Sequence, residues 1–130
     1  MLQIELIEPD QVAAAWPELV GYIERAQQRG PTDSTTEQLM ERCANDPMWR
    51  LVRIDGGAMI VNLNPPDLHV ASIGGAPPPG WLDDVVYWLK CAVKATGMDR
   101  ITLKGRKGWQ RRLRPLGFTD IGDGYYGVTP

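Results

Sequence analysis

Histidine, cysteine and phenylalanine are nearly missing from this chain, which has one histidine, two cysteines and one phenylalanine in 130 residues. A zinc site needs three or four clustered His, Cys or acidic ligands. Cys43 and Cys91 stand far apart with no CxxC or CxxH neighbour, so no metal is expected, and a disulfide is unsupported without an export signal. Both cysteines fall within helical patterns and are expected to be buried, reduced thiols. No apolar run approaches the roughly 20 residues that span a bilayer, so no membrane partner is expected. The start Met1-Leu2-Gln3 has no basic region followed by an apolar core. A soluble, cytoplasmic protein is the expectation. Hydrophobic content of 43% and charged content of 23% exclude disordered and collagen-like classes, and the length suits one domain over residues 1–130.

Acidic residues are absent from one stretch. Between Arg100 and Arg114 stand Arg100, Lys104, Arg106, Lys107, Arg111, Arg112 and Arg114 with no Asp or Glu. That leaves seven of the fourteen basic residues against all sixteen acids, in a chain of net charge −2. An acidic molecule with one basic element points to an anionic ligand or partner there, or else to a solvated face balanced by acids elsewhere. Nucleic acid fits less well than an acidic protein surface. Only Trp109 is interleaved with the bases, and the overall charge is negative.

Taken in order, Leu2, Ile4 and Leu6 alternate as a half-buried strand ended by Pro9, and Asp10 is placed as the N-cap of a helix. Val12, Ala13, Trp16, Leu19, Val20 and Ile23 carry that helix, with a kink or restart expected at Pro17 and a close at Gly30-Pro31. Ser34 to Glu37 reads as a capping box that opens a second helix to Asn45. Strands follow at 49–54 and 58–63 around the Asp55-Gly56-Gly57 turn. After Asn64-Pro-Pro-Asp67 the run Leu68 to Ile73 reads as a central strand covered on both faces. The loop Gly74 to Gly80 leads into a helix over 81–95 that Gly97 ends. A strand at Arg100 to Lys104, a basic helix within Gly105 to Phe118, and a closing hairpin of 118–121 and 125–128 complete the order β-α-α-β-β-β-α-β-α-β-β.

That order, with LHVASI, a glycine-containing loop, a long helix, RITLK, a short helix and LGF, resembles the GCN5-related N-acetyltransferase (GNAT) fold. Among its members the chain is most similar to short bacteriophage-encoded acetyltransferase-like proteins, some of them internal virion proteins, in which a Gly-Arg-Lys-Gly-Trp segment recurs. The resemblance implies an α+β fold. Its central sheet is mixed but mostly antiparallel, with fourth and fifth strands that splay apart and four flanking helices. It also implies acyl-CoA in the gap, its pyrophosphate on backbone N–H groups at the start of the third helix. Here that segment lacks the Arg/Gln-x-x-Gly-x-Gly/Ala spacing, and Pro77, Pro78 and Pro79 remove successive donors. Gly75, Ala76, Gly80, Trp81 and Leu82 are left as donors. Arg106, Lys107 and Gly108 are additional candidates for the phosphates.

The family's proton donor to the leaving thiolate is a tyrosine four residues before the glycine of the Gly-Phe pair. Leu113 stands there, and the family's asparagine near the start of that helix is replaced by a region of Arg106, Lys107 and Gln110. Tyr125 and Tyr126 are substitute acids, and His69, with Asp67 nearby, is the candidate base. Two functions follow. The first is a catalytically degenerate, phage-type module that binds an acidic host or virion protein through Arg106, Lys107, Arg111, Arg112 and Arg114. The second is an acetyl-CoA-dependent N-acetyltransferase with a non-standard cofactor loop. A homodimer through the C-terminal hairpin or an exposed strand edge is compatible with either.

Overall fold

The computed structural model describes residues 2–29, 34–105 and 108–130. Among them, seven strands form one sheet: β1 Ile4–Ile7, β2 Trp49–Ile54, β3 Gly57–Asn64, β4 Asp67–Gly75, β5 Arg100–Lys104, β6 Thr119–Gly122 and β7 Tyr125–Val128. The spatial order is β1-β2-β3-β4-β5-β7-β6. Every neighbouring pair is antiparallel except β4 and β5. The helices are α1 Val12–Arg29, α2 Thr36–Asn45, α3 Trp81–Thr96 and α4 Gln110–Leu113. A 3-10 turn, Pro9–Gln11, precedes α1, and another, Arg114–Leu116, continues α4.

Period-two alternation sends neighbouring strand residues to opposite faces, and two apolar clusters follow from it. On one face Leu51 and Ile60 pack with Val12, Trp16, Leu19 and Ile23 of α1 and with Leu39 and Cys43 of α2. On the other face Val52, Met59, Val61, Leu68, Val70, Ile101 and Leu103 pack with Val85, Val86, Leu89 and Val93 of α3, with Leu113, and with Phe118. Gly57 to Val61 of β3 is therefore buried on both sides. The sequence pattern assigned that place to β4. Instead β4 alternates, because its side chains opposite Leu68 and Val70 are only partly covered. Helix α1 does cross the far end of β4, and it does so closely: a Cβ on Gly74 would run into the Tyr22 carbonyl and lie 3.0 Å from the Ala26 Cβ.

Several local expectations are corrected. Asp10 lies inside the first 3-10 turn, and Glu8 is the residue at the cap. Helix α1 passes through Pro17 without restarting. The capping box is one residue later than expected: the Gln38 N–H donates to Thr35 Oγ1 at 3.1 Å, and the Thr35 N–H donates to Gln38 Oε1 at 2.8 Å. Ser34 Oγ accepts from Arg42 Nη1 instead. A cap contributes about 1 kcal/mol, less than the roughly 1.5–3 kcal/mol from burying one leucine such as Leu39. Docking thus outweighs the cap in holding α2. Cys91 is exposed on α3, whereas Cys43 is buried. The basic helix is a single α turn followed by a 3-10 turn. Pro115 lacks the N–H that a longer α-helix needs, and Gly117 ends the segment in the left-handed region at φ 93°.

Candidate active site

The parallel β4/β5 pair is short. It joins Asp67–Val70 to Arg100–Leu103 and then stops, while β4 continues beside β3 to Gly75. The cause lies in β4 itself. Val61 pairs with Val70 and Ile60 with Ser72, so Ala71 is an extra residue, a bulge that bends β4 away from β5. Beyond Val70 no described strand lies on the β5 side of β4. A gap between two parallel strands, lined by strand backbone, accepts an extended amide-bearing ligand much as a strand would.

His69 stands just before the fork. Since Leu68 and Val70 face α3, His69 faces the opposite side, which also carries Thr102, Lys104 and Tyr125 from β5 and β7. His69 Nδ1 is 2.9 Å from Thr102 Oγ1. The Tyr125 ring lies 5.9 Å from the imidazole, and Lys104 Nζ sits 5.5 Å from the centre of the tyrosine ring. Burial holds the His69 pKa below its ordinary value, opposed by the negative charge of Asp67. Asp67 is engaged elsewhere, since Arg100 clamps it through Nε at 2.6 Å and Nη2 at 3.2 Å. The imidazole is thus neutral near pH 7. The tautomer whose Nδ1–H donates to Thr102 Oγ1 would leave the Nε2 lone pair free to accept a proton.

The second face of the gap differs. The Ala76 N–H donates to the Gly56 carbonyl at 2.8 Å, and the Trp81 N–H donates to the Pro78 carbonyl at 3.2 Å. Gly75 sits opposite Gly57 in the β3/β4 ladder, and Gly80 is the left-handed cap of α3 at φ 82°. Pro77, Pro78 and Pro79 have no N–H to give. Asp83 and Asp84 occupy the first turn of α3, where their charge repels an anion that the helix dipole would attract. These residues do not fit a CoA diphosphate on the α3 start. In place of a charged cradle, Trp81 meets Trp109 edge to face at 6.3 Å, both packed against the α3-side core.

The remaining candidates divide. Tyr126 lies on the α3/α4 face, its ring pressed onto Gly105, so the two tyrosines do not share a site. Leu113 is fully buried in the core. Gly108 adopts φ 90° ahead of α4, whose single turn has little dipole with which to hold phosphate. Arg106 and Lys107 lie outside the described residues. Arg111, Arg112 and Arg114 are exposed. Arg114 also borders a groove of about 450 Å³ with Gln110, Phe118, Asp120 and Tyr126. Sequence reasoning missed Thr102 and the Trp81–Trp109 pair. A threonine between Ile101 and Leu103, in an otherwise apolar strand centre, was the only sign of the first.

No protein-family model matches the chain, and no curated protein matches it by sequence. Solved structures do match in shape. A GNAT-family acetyltransferase from Staphylococcus aureus superposes with a TM-score of 0.72 at 12% identity, covering 99% of each chain. Tetrahymena GCN5 gives 0.71 at 10% identity, over 98% of this chain and 95% of its own. The PaiA N-acetyltransferase from Thermoplasma acidophilum, solved with coenzyme A, gives 0.64 at 8% identity over 100% of this chain and 99% of its own. The chain has the GNAT fold. At these identities the likeness speaks for architecture, and the residues at the fork must carry any statement about chemistry.

Proposed function

We propose that the chain is an N-acyltransferase that takes an acyl thioester into the β4/β5 gap and delivers the acyl group to an amine on the His69 face. One observation carries this reading: the bulge at Ala71 opens the gap directly beside a half-buried, neutral histidine oriented by a buried threonine. In this scheme His69 Nε2 takes the proton from the amine as its nitrogen forms the new C–N bond and the C–S bond breaks. The gap aligns the reactants, a contribution that can exceed that of any one side-chain acid. Leu113 supplies no proton, so the thiolate is protonated by solvent.

A catalytically silent binding module is the second reading. Leu113 at the expected acid position and the closed diphosphate cradle favour it. Its phage-type, virion-associated form rests on the sequence resemblance alone.

Thermal shift separates the two. S-acetyl-pantetheine and acetyl-CoA are expected to raise the melting temperature of the wild type, and Ala71→Phe, which fills the fork, is expected to abolish the rise. No shift with either thioester at millimolar concentration eliminates the acyltransferase reading. Once an acceptor amine is found, His69→Gln is expected to lower transfer by about 10²-fold or more.

A further inference from the structure

We propose that the thioester reaches this cleft on an acidic acyl-carrier protein, as acyl-phosphopantetheine, rather than on coenzyme A. The inference rests on the thioester-donor reading above and names the form of the donor.

Two independent observations lead to it. The first is the depleted anion cradle. Three prolines and two N–H groups already bonded to carbonyls leave few backbone donors for the diphosphate of coenzyme A, and two aspartates in the first turn of α3 set negative charge against it. Nearby, Trp81 and Trp109 form an apolar, partly buried pair packed against the α3-side core. Such rings suit the uncharged part of a pantetheine arm and give a diphosphate little in exchange for its lost water.

The second is the charge near that pair. Arg111, Arg112 and Arg114 follow Trp109 after Gln110 and are exposed. None of them has a carboxylate within 4.0 Å among the described residues. Three like charges within four positions repel one another, and Asp120, which shares a groove with Arg114, is not close enough to pair with it. A carrier protein meets both conditions. Its arm enters as an uncharged chain, and its single phosphodiester stays at the carrier surface, within reach of guanidinium groups that bind phosphate and carboxylate bidentately. An acidic surface around that arm then completes the charge match, which steers encounter and fixes register. A nucleic acid fits less well, since only Trp109 is interleaved with the arginines, leaving few aromatic faces on which bases could stack.

The test uses the whole chain and titrates four probes, following tryptophan fluorescence with calorimetry as a check: acetyl-CoA, S-acetyl-pantetheine, an acetylated bacterial acyl-carrier protein, and a single-stranded oligonucleotide. The acetylated carrier is expected to bind at least about tenfold more tightly than acetyl-CoA, a difference of about 1.4 kcal/mol. Acetyl-CoA and S-acetyl-pantetheine are expected to agree within about threefold, because the nucleotide end finds no cradle. The surface triple variant Arg111→Glu, Arg112→Glu, Arg114→Glu is expected to weaken the carrier by about tenfold or more and to leave S-acetyl-pantetheine unchanged. Acetyl-CoA binding as tightly as the carrier, and weakened by the triple variant, overturns the proposal: the arginines then hold CoA phosphates and the acyltransferase reading stands. Tighter binding of the oligonucleotide than of the carrier also overturns it. Binding by none of the thioesters removes the acyltransferase reading and this inference together.

Discussion

His69 is the only histidine, so its titration can be followed without interference. Burial lowers its folded-state pKa from about 6.5. The unfolded chain therefore binds the proton more readily between the two values. The sign is fixed by that difference: the stabilising contribution is complete above about pH 6.5 and is lost as pH falls through the folded pKa. Unfolding in urea is expected to show stability falling on acidification below about pH 6.5, with His69→Gln reducing the slope. The imidazole proton resonance in NMR should titrate below its free value, and an equal or higher midpoint would refute the desolvated placement. Thr102→Val should move that midpoint. The cysteines divide as sharply: burial pushes the Cys43 thiol up to about 12, while Cys91 is exposed. An aromatic disulfide reagent at pH 8 is expected to modify one thiol in the native protein and both after denaturation, since the thiolate is the reactive form. Ser72 Oγ is buried without a hydrogen-bond partner among the described residues. Ser72→Ala should be neutral or stabilising by up to about 1 kcal/mol, and a clear loss of stability would reveal a partner.

The elements were largely legible because their signals are local. Helical and strand periods, Gly97 as a stop, and the Asp55-Gly56 turn each depend on a few neighbouring residues. The misplaced capping box shows where local signals become degenerate. Ser34 and Thr35 are both good caps, and Glu37 and Gln38 both complete a box, so tertiary contacts decided between them. Helix α4 failed differently, because its basic run was counted as helix across a proline. Two glycines test the distinction between local and tertiary demands. Gly97 sits at φ 73° with nothing near its missing Cβ, so Gly97→Ala should cost about 1 kcal/mol from backbone conformation alone. Gly74→Ala meets the α1 backbone at Tyr22. It is expected to cost about 1–3 kcal/mol, and its effect should appear as increased hydrogen exchange in α1.

For the whole molecule, the proposed thioester binding would be linked to stability. Free S-acetyl-pantetheine at about 100 times its dissociation constant should add about 2.7 kcal/mol to unfolding free energy. For that uncharged ligand the gain should be insensitive to salt, whereas carrier binding through the arginines should weaken as salt rises. The sequence by itself determined the order of elements, the architecture they resemble, the absence of a tyrosine at position 113 and the proline-blocked loop. These follow from residue type and spacing along the chain. Only the tertiary structure brought His69 to Thr102 and Tyr125, set Trp81 against Trp109, and placed the bulge at Ala71. Each of those contacts joins segments remote in sequence, or depends on a one-residue change in strand register, and no periodicity encodes either.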